Sequence, residues 1–246
     1  MSNPEEVLYE VADHIATITL NAPERMNTIS GPMLDQLTER LLEADADKDV
    51  RCVILTGRGR AFCAGLDLRA QTQGKGLMSG GVAATTLDLR NTPPTVLHAM
   101  ETPVICAVNG GAAGYGMDTA LGCDIRIMAK SAKFAAAFCK RGLLPESGGT
   151  WFLPRLIGWS KAAELIFTGR TLNADESLAW GLASEVVPDE ELMGRARALA
   201  AEIAANAPLA VQAAKRMMRM GLNEPFAEHV HHVYLQLLPL MRTEDV

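Results

Sequence analysis

Two short segments carry the residue types with which a main chain can grip an oxygen. The first is Phe62-Cys63-Ala64-Gly65-Leu66-Asp67-Leu68, and the second is Asn109-Gly110-Gly111-Ala112-Ala113-Gly114-Tyr115-Gly116-Met117-Asp118. Each follows a compact apolar run, Cys52 to Gly57 in one case and Val104 to Val108 in the other. Glycine and alanine allow close approach of the backbone and leave N–H groups unshielded, and a helix start adds partial positive charge. Either segment alone reads as an ordinary tight turn. Together they can aim two N–H groups at one oxygen.

Other chemistries drop away on spacing. Gly57 and Gly59 are followed by Phe62, and Gly114 and Gly116 by Thr119, so the dinucleotide-binding Gly-x-Gly-x-x-Gly fails twice. No phosphate loop and no Gly-x-Ser-x-Gly elbow is present. His229 and His232 share a helix face with His231 nearby, but no neighbouring Cys or carboxylate completes a known ligand pattern, and no metal is expected.

The elements that must position these turns follow from periodicity. Alternation over Val7 to Leu20, broken at Ala12-Asp13-His14, predicts a hairpin. Ser30 caps a helix with Pro32 in its first turn and Leu34, Leu37 and Leu41 on one face. Strands are expected at Cys52 to Thr56, Val104 to Val108, Asp124 to Met128 and Glu185 to Val187. Helices are expected at Thr85 to Met100, Tyr115 to Gly122 and Ser160 to Phe167, and this alternation predicts an α/β fold. Beyond Pro188 the pattern is wholly helical: Asp189 to Ala205, Leu209 to Met220 and Pro225 to Met241. Residues 1–188 and 189–246 are read as a core and a helical region of one structural domain. Gly74, Gly76, Gly80 and Gly81 mark a long polar loop.

Composition sets the class. The 246 residues carry 23 Lys plus Arg against 29 Asp plus Glu, a net charge of −6, and 48% are apolar, enough for a sizeable core. Without clustered cations, neither nucleic acid nor an anionic membrane is an expected partner. The longest uncharged stretch, Thr102 to Met117, falls short of the ~20 apolar residues of a spanning helix. Glu5 and Glu6 stand where a secretory signal is basic, so a cytoplasmic location is expected. The five cysteines form no Cys-x-x-Cys pair and read as buried free thiols.

With both glycine segments in place, the chain resembles the crotonase (enoyl-CoA hydratase/isomerase) superfamily from about Val7 to Met241. The likeness extends through Leu143-Leu144-Pro145-Glu146-Ser147-Gly148-Gly149-Thr150, Leu153-Pro154-Arg155, Thr168-Gly169-Arg170 and Trp180-Gly181-Leu182. It implies a spiral of β–β–α units whose helical C-terminal region builds a homotrimer or hexamer. It implies an acyl-CoA substrate with no cofactor beyond the coenzyme A of the thioester, and an oxyanion hole made by the main-chain N–H groups of Leu66 and Tyr115. One such donor is typically worth ~3 kcal/mol of barrier.

The two glutamates of the family's hydratases correspond here to Asp118 and Phe138, which breaks the acid/base pair. Glu146 occupies the position that single-carboxylate isomerases of the family use as their base, and one carboxylate can take a proton at C2 and return it at C4. The other reading of Glu146 is a solvated carboxylate at a helix start near Gly149. Asp118 is either catalytic or a structural hydrogen-bonding residue that supports the base. The resemblance places coenzyme A against Ala64, Asp67 and Leu68 and the segment at Arg25, with Arg25 and Arg69 facing phosphates. Asp67 reads equally as the cap of a short helix. Phe138, Trp151 and Phe152 line or back the acyl pocket. The stretch from Phe138 to Pro154 is also similar to ring-epoxide isomerases of phenylacetyl-CoA breakdown. Double-bond isomerisation is the expected activity. The alternatives are hydration by Glu146 with Asp118, or acyl-CoA binding without chemistry. Family members usually continue past Thr243-Glu244-Asp245 with a helical tail that helps cover the nucleotide.

Overall fold

In the computed structural model, which describes residues 5–67, 92–243 and 245, the alternating N-terminus forms an antiparallel hairpin of β1 (Val7–Ala12) and β2 (Ile15–Leu20). Asp13 and His14 turn it at φ 51° and 62°, the left-handed pair that suits a two-residue hairpin. Helix α1 (Gly31–Ala46) starts where Ser30 Oγ accepts the Met33 N–H at 3.1 Å, and it buries Met33, Leu37, Leu41 and Ala44.

The chain then repeats one cycle. β3 (Cys52–Gly57) and β4 (Ala61–Cys63) precede α2 (Pro93–Ala99); β5 (Val104–Val108) and β6 (Gly111–Ala113) precede α3 (Tyr115–Gly122). β7 (Ile125–Ala129) and β8 (Lys133–Ala135) precede α4 (Gly149–Ile157) and α5 (Trp159–Thr168). After β9 (Thr171–Asn173), α6 (Ala174–Trp180) and β10 (Glu185–Val187) come α7 (Leu192–Ala204), α8 (Pro208–Gly221) and α9 (Phe226–Leu240). The first strand of each cycle joins a sheet of order β1-β2-β3-β5-β7-β10, parallel except at the hairpin, and the second joins a smaller sheet of order β4-β6-β8-β9. This is the expected α/β spiral. Its consequence for the site is direct: β4 and β6 are parallel neighbours, so the segments leaving them emerge side by side.

Asn27 locks the corner before α1 onto that smaller sheet. It is fully buried at φ 52°; its Oδ1 accepts from Ala22 N at 2.8 Å, and its Nδ2 donates to the carbonyls of Arg58 (3.0 Å), Ala61 (2.8 Å) and Phe62 (3.1 Å). Asn27→Ala removes all four of these hydrogen bonds, with only Ala61 O keeping a second donor in Asn109 Nδ2 (3.3 Å), and is expected to cost about 3 kcal/mol in denaturant unfolding; an unchanged midpoint would refute this role.

Some expectations are corrected. The helix expected from Thr85 is seen as Pro93–Ala99, residues 85–91 lying outside the described residues, as do Gly74 to Gly81. Four cysteines are buried and free, but Cys139 is exposed because it opens a one-turn 3-10 segment, Cys139–Arg141, on the surface. In the C-terminal region α7 buries Ala196, Ala200 and Ala204, whereas α8 and α9 present Met218 (75% exposed), Phe226 (84%) and Tyr234 (63%) to solvent. Among the described residues no helix is long and apolar enough to cross a membrane.

Candidate active site

The two glycine segments touch, and only glycine permits the contact. A methyl group on Gly65 (φ 98°) would stand 2.9 Å from the Ala113 carbonyl oxygen and 3.8 Å from Tyr115 N, and one on Gly116 would stand 2.2 Å from the Cys63 carbonyl oxygen. On the first segment, Ile29 N donates to Gly65 O (2.8 Å) and Asp67 N donates to Ile29 O (3.0 Å), a parallel bridge centred on Leu66. In that ladder the N–H of Leu66 itself points away from Ile29. On the second segment, Gly114 N donates to Ala135 O at 3.0 Å, and Gly114 adopts φ 52°, ψ −123°, a conformation reserved to glycine. Tyr115 then opens α3, where the first-turn N–H groups have no intrahelical acceptor. Neither the Leu66 nor the Tyr115 N–H meets an acceptor among the described residues.

Both residues line one cleft of about 760 Å³, together with Arg25, Ala64, Asp67, Phe138 and Glu146. Seven of the residues singled out from the sequence are thus brought together. Leu68 and Arg69 lie outside the described residues. Arg60, Arg141 and Leu143 also line the cleft and were not anticipated. The signal for the last two is Gly142 (φ 71°), which ends the 3-10 turn and sends the chain back toward Glu146.

The cleft's carboxylates differ in their partners. Asp67 lies 3.5 Å and Glu24 3.7 Å from the Arg25 guanidinium, which also holds Glu6 at 2.6 Å. Glu146 has no cation partner among the described residues. Although open to solvent along the cleft, its carboxyl is held above the usual carboxylate range by partial loss of water, an effect only partly offset by its own main-chain N–H.

Asp118 and Trp151 are not cleft-lining residues. Asp118 is fully buried in α3, its Oδ2 accepting from Gly149 N at 3.1 Å. Burial, with the nearby charge of Glu146, pushes it up to about 7 against the opposing Gly149 and Ser147 hydrogen bonds. Trp151, on the first turn of α4, turns away from the cleft: its ring packs edge-on to His98 (4.9 Å) and Phe152 (5.2 Å), and the Arg155 guanidinium lies 4.1 Å over it. Phe138 is in the cleft wall and nearly buried, so its ring is an apolar part of that wall. Glu224 supplies the carboxylate not foreseen beside His229 and His232, each Nδ1 lying 3.1 Å from it. Even so, no group of three or more metal-binding side chains suited to an ion occurs among the described residues.

Two uncommitted N–H groups and one carboxylate of raised proton affinity in a single cleft are the parts needed to withdraw a proton beside a carbonyl. Comparisons with known proteins show the family. The family model for enoyl-CoA hydratase/isomerase matches residues 10–239. A 1,2-epoxyphenylacetyl-CoA isomerase of Escherichia coli is 42% identical over 200 residues, covering 81% of this chain and 76% of the relative. An (E)-benzylidenesuccinyl-CoA hydratase of Thauera aromatica is 38% identical over 241 residues, covering 97% and 92%. The crystal structure of a putative enoyl-CoA hydratase from Streptomyces coelicolor superposes with a TM-score of 0.89 at 31% identity, covering 100% of this chain and 90% of that one. The chain has the crotonase fold and belongs to the enoyl-CoA hydratase/isomerase family.

Proposed function

We propose that the protein moves a double bond from C3 to C2 of an enoyl-CoA thioester. The carrying observation is that Glu146 is the cleft carboxylate without a cation partner among the described residues, while the position of a hydratase's first acid is withdrawn from the cleft and that of its second is Phe138. The thioester carbonyl accepts the Leu66 and Tyr115 N–H groups. Glu146 removes the C2 proton, and the electron pair of that C–H bond becomes a dienolate whose charge rests on the carbonyl oxygen. Glu146 then returns the proton to C4 as the C2–C3 double bond forms. Arg25, Ala64 and Asp67 border the end that takes the coenzyme, and Phe138 and Leu143 border the acyl group. The exposed apolar side chains of α8 and α9 support self-association as a trimer or hexamer.

Substrate pairs test this. A 3-enoyl-CoA offered to the purified protein is expected to gain the ultraviolet absorbance of a conjugated thioester, and a 2-enoyl-CoA is expected to remain unhydrated. Water addition to the second would favour the hydratase reading, and tight binding without either reaction would make the protein an acyl-CoA binder. Rearrangement of a ring-epoxide acyl-CoA is the variant suggested by the Escherichia coli relative, and it uses the same hole and base.

A further inference from the structure

Every residue of α3 is buried, and the helix that presents the Tyr115 N–H also carries Asp118. The turn bearing Glu146 rests on that carboxyl. Gly149 N donates to Asp118 Oδ2, and a methyl on Gly149 would stand 2.4 Å from Oδ1 and 2.8 Å from Pro145 Cβ, so only glycine admits so close an approach. Two atoms here remain orphaned: Asp118 Oδ1 and Ser147 Oγ are both buried without a partner at bonding distance among the described residues. They belong to neighbouring groups, since the Ser147 hydroxyl and N–H lie close enough to oppose the upward shift of the Asp118 carboxyl.

We propose that Asp118 is a positioning residue for Glu146: as a neutral acid it accepts the Gly149 N–H with one oxygen, donates its proton to Ser147 Oγ with the other, and so fixes the turn that holds Glu146 in the cleft. One proton shared this way satisfies both orphaned oxygens. The titratable groups around it are Glu146 from the turn, Tyr115 from its own helix, and Cys63 of β4, which packs on Gly116 and acts on Tyr115. None is a cation. Ionised, Asp118 would be a buried negative charge facing Glu146, consistent with the upward shift to about 7. The assignment rests on Glu146 being the base, and it differs from the hydratase role because Asp118 cannot reach a substrate from where it lies.

Asp118→Asn is the test, because its amide copies the neutral acid: oxygen accepting from Gly149, nitrogen donating to Ser147. At pH 6 its kcat for the 3-enoyl-CoA is expected to stay within about threefold of the parent, and the parent's decline above pH ~7 is expected to vanish. Asp118→Ala is expected to lower kcat at least about tenfold with KM little changed. The stability sign follows: an acid with a raised folded pKa binds more protons folded than unfolded, so it loses stability as pH rises from 3.8 to about 7. The Tm advantage of Asp118→Asn should therefore grow across that window. An Asn variant as inactive as the Ala variant, or one with no Tm advantage at pH 8, would overturn the proposal. The Tm comparison does not depend on turnover, so loss of the isomerase reading and loss of this one are separable.

Discussion

Glu146→Gln is expected to abolish isomerisation while leaving acyl-CoA affinity nearly unchanged. A positioned general base contributes about 10²–10⁴-fold, and in the proposed reaction the same group both removes and returns the proton, so kcat should fall at least about 10³-fold. The glutamine keeps the volume and the hydrogen-bonding reach of the parent side chain, and nothing in the fold depends on the charge, since Glu146 has no ion-pair partner among the described residues. The pH dependence carries the same information. The base must be ionised in the free enzyme, and partial desolvation raises its proton affinity. kcat/KM should therefore fall as pH drops through a value above the ~4.3 of a free glutamate. Residual turnover in the variant should lack that limb. A Gln variant with parental kcat would show that Glu146 is not the base.

Gly65→Ala should be nearly as damaging without touching a reactive side chain. At φ 98° a side chain is strained by about 1–3 kcal/mol, and its methyl would press on Ala113 O at 2.9 Å. Relief requires the Leu66 and Tyr115 segments to part. Misaligning one N–H donor should lower kcat by about 10²–10³-fold, with substrate affinity affected far less because the donors act most strongly on the charge that develops in the transition state. Full activity in a folded Gly65→Ala protein would show that the close approach of the two turns is irrelevant to catalysis.

How much of this was legible depends on the range over which each feature is encoded. β3, β5 and α3 were readable because an unbroken apolar run or a full helical turn is a local signal, as is the Ser30 cap. The strands β4, β6, β8 and β9 span three residues each, too few for a period, and the neighbouring of β4 and β6 that brings Leu66 to Tyr115 is a long-range pairing. Resemblance, rather than pattern, supplied that contact. That Trp151 stays out of the cleft lining is hidden from the sequence for a related reason. Closeness in sequence to Glu146 does not say which side of α4 a ring occupies, and its edge-on contact with His98 and the Arg155 guanidinium over its face place it outside the cleft lining. Asp118 and Glu146 are alike in composition, and only the packing of α3 separates a buried acid from one open to the cleft. The Asn173–Glu176 capping box is a local signal for the start of α6.

The most direct test of the central claim is a crystal structure with an acyl-CoA thioester bound. The account predicts the carbonyl oxygen within about 3.1 Å of both Leu66 N and Tyr115 N, with Glu146 the carboxylate nearest C2. A carbonyl held by other groups, or facing away from either amide, would contradict it.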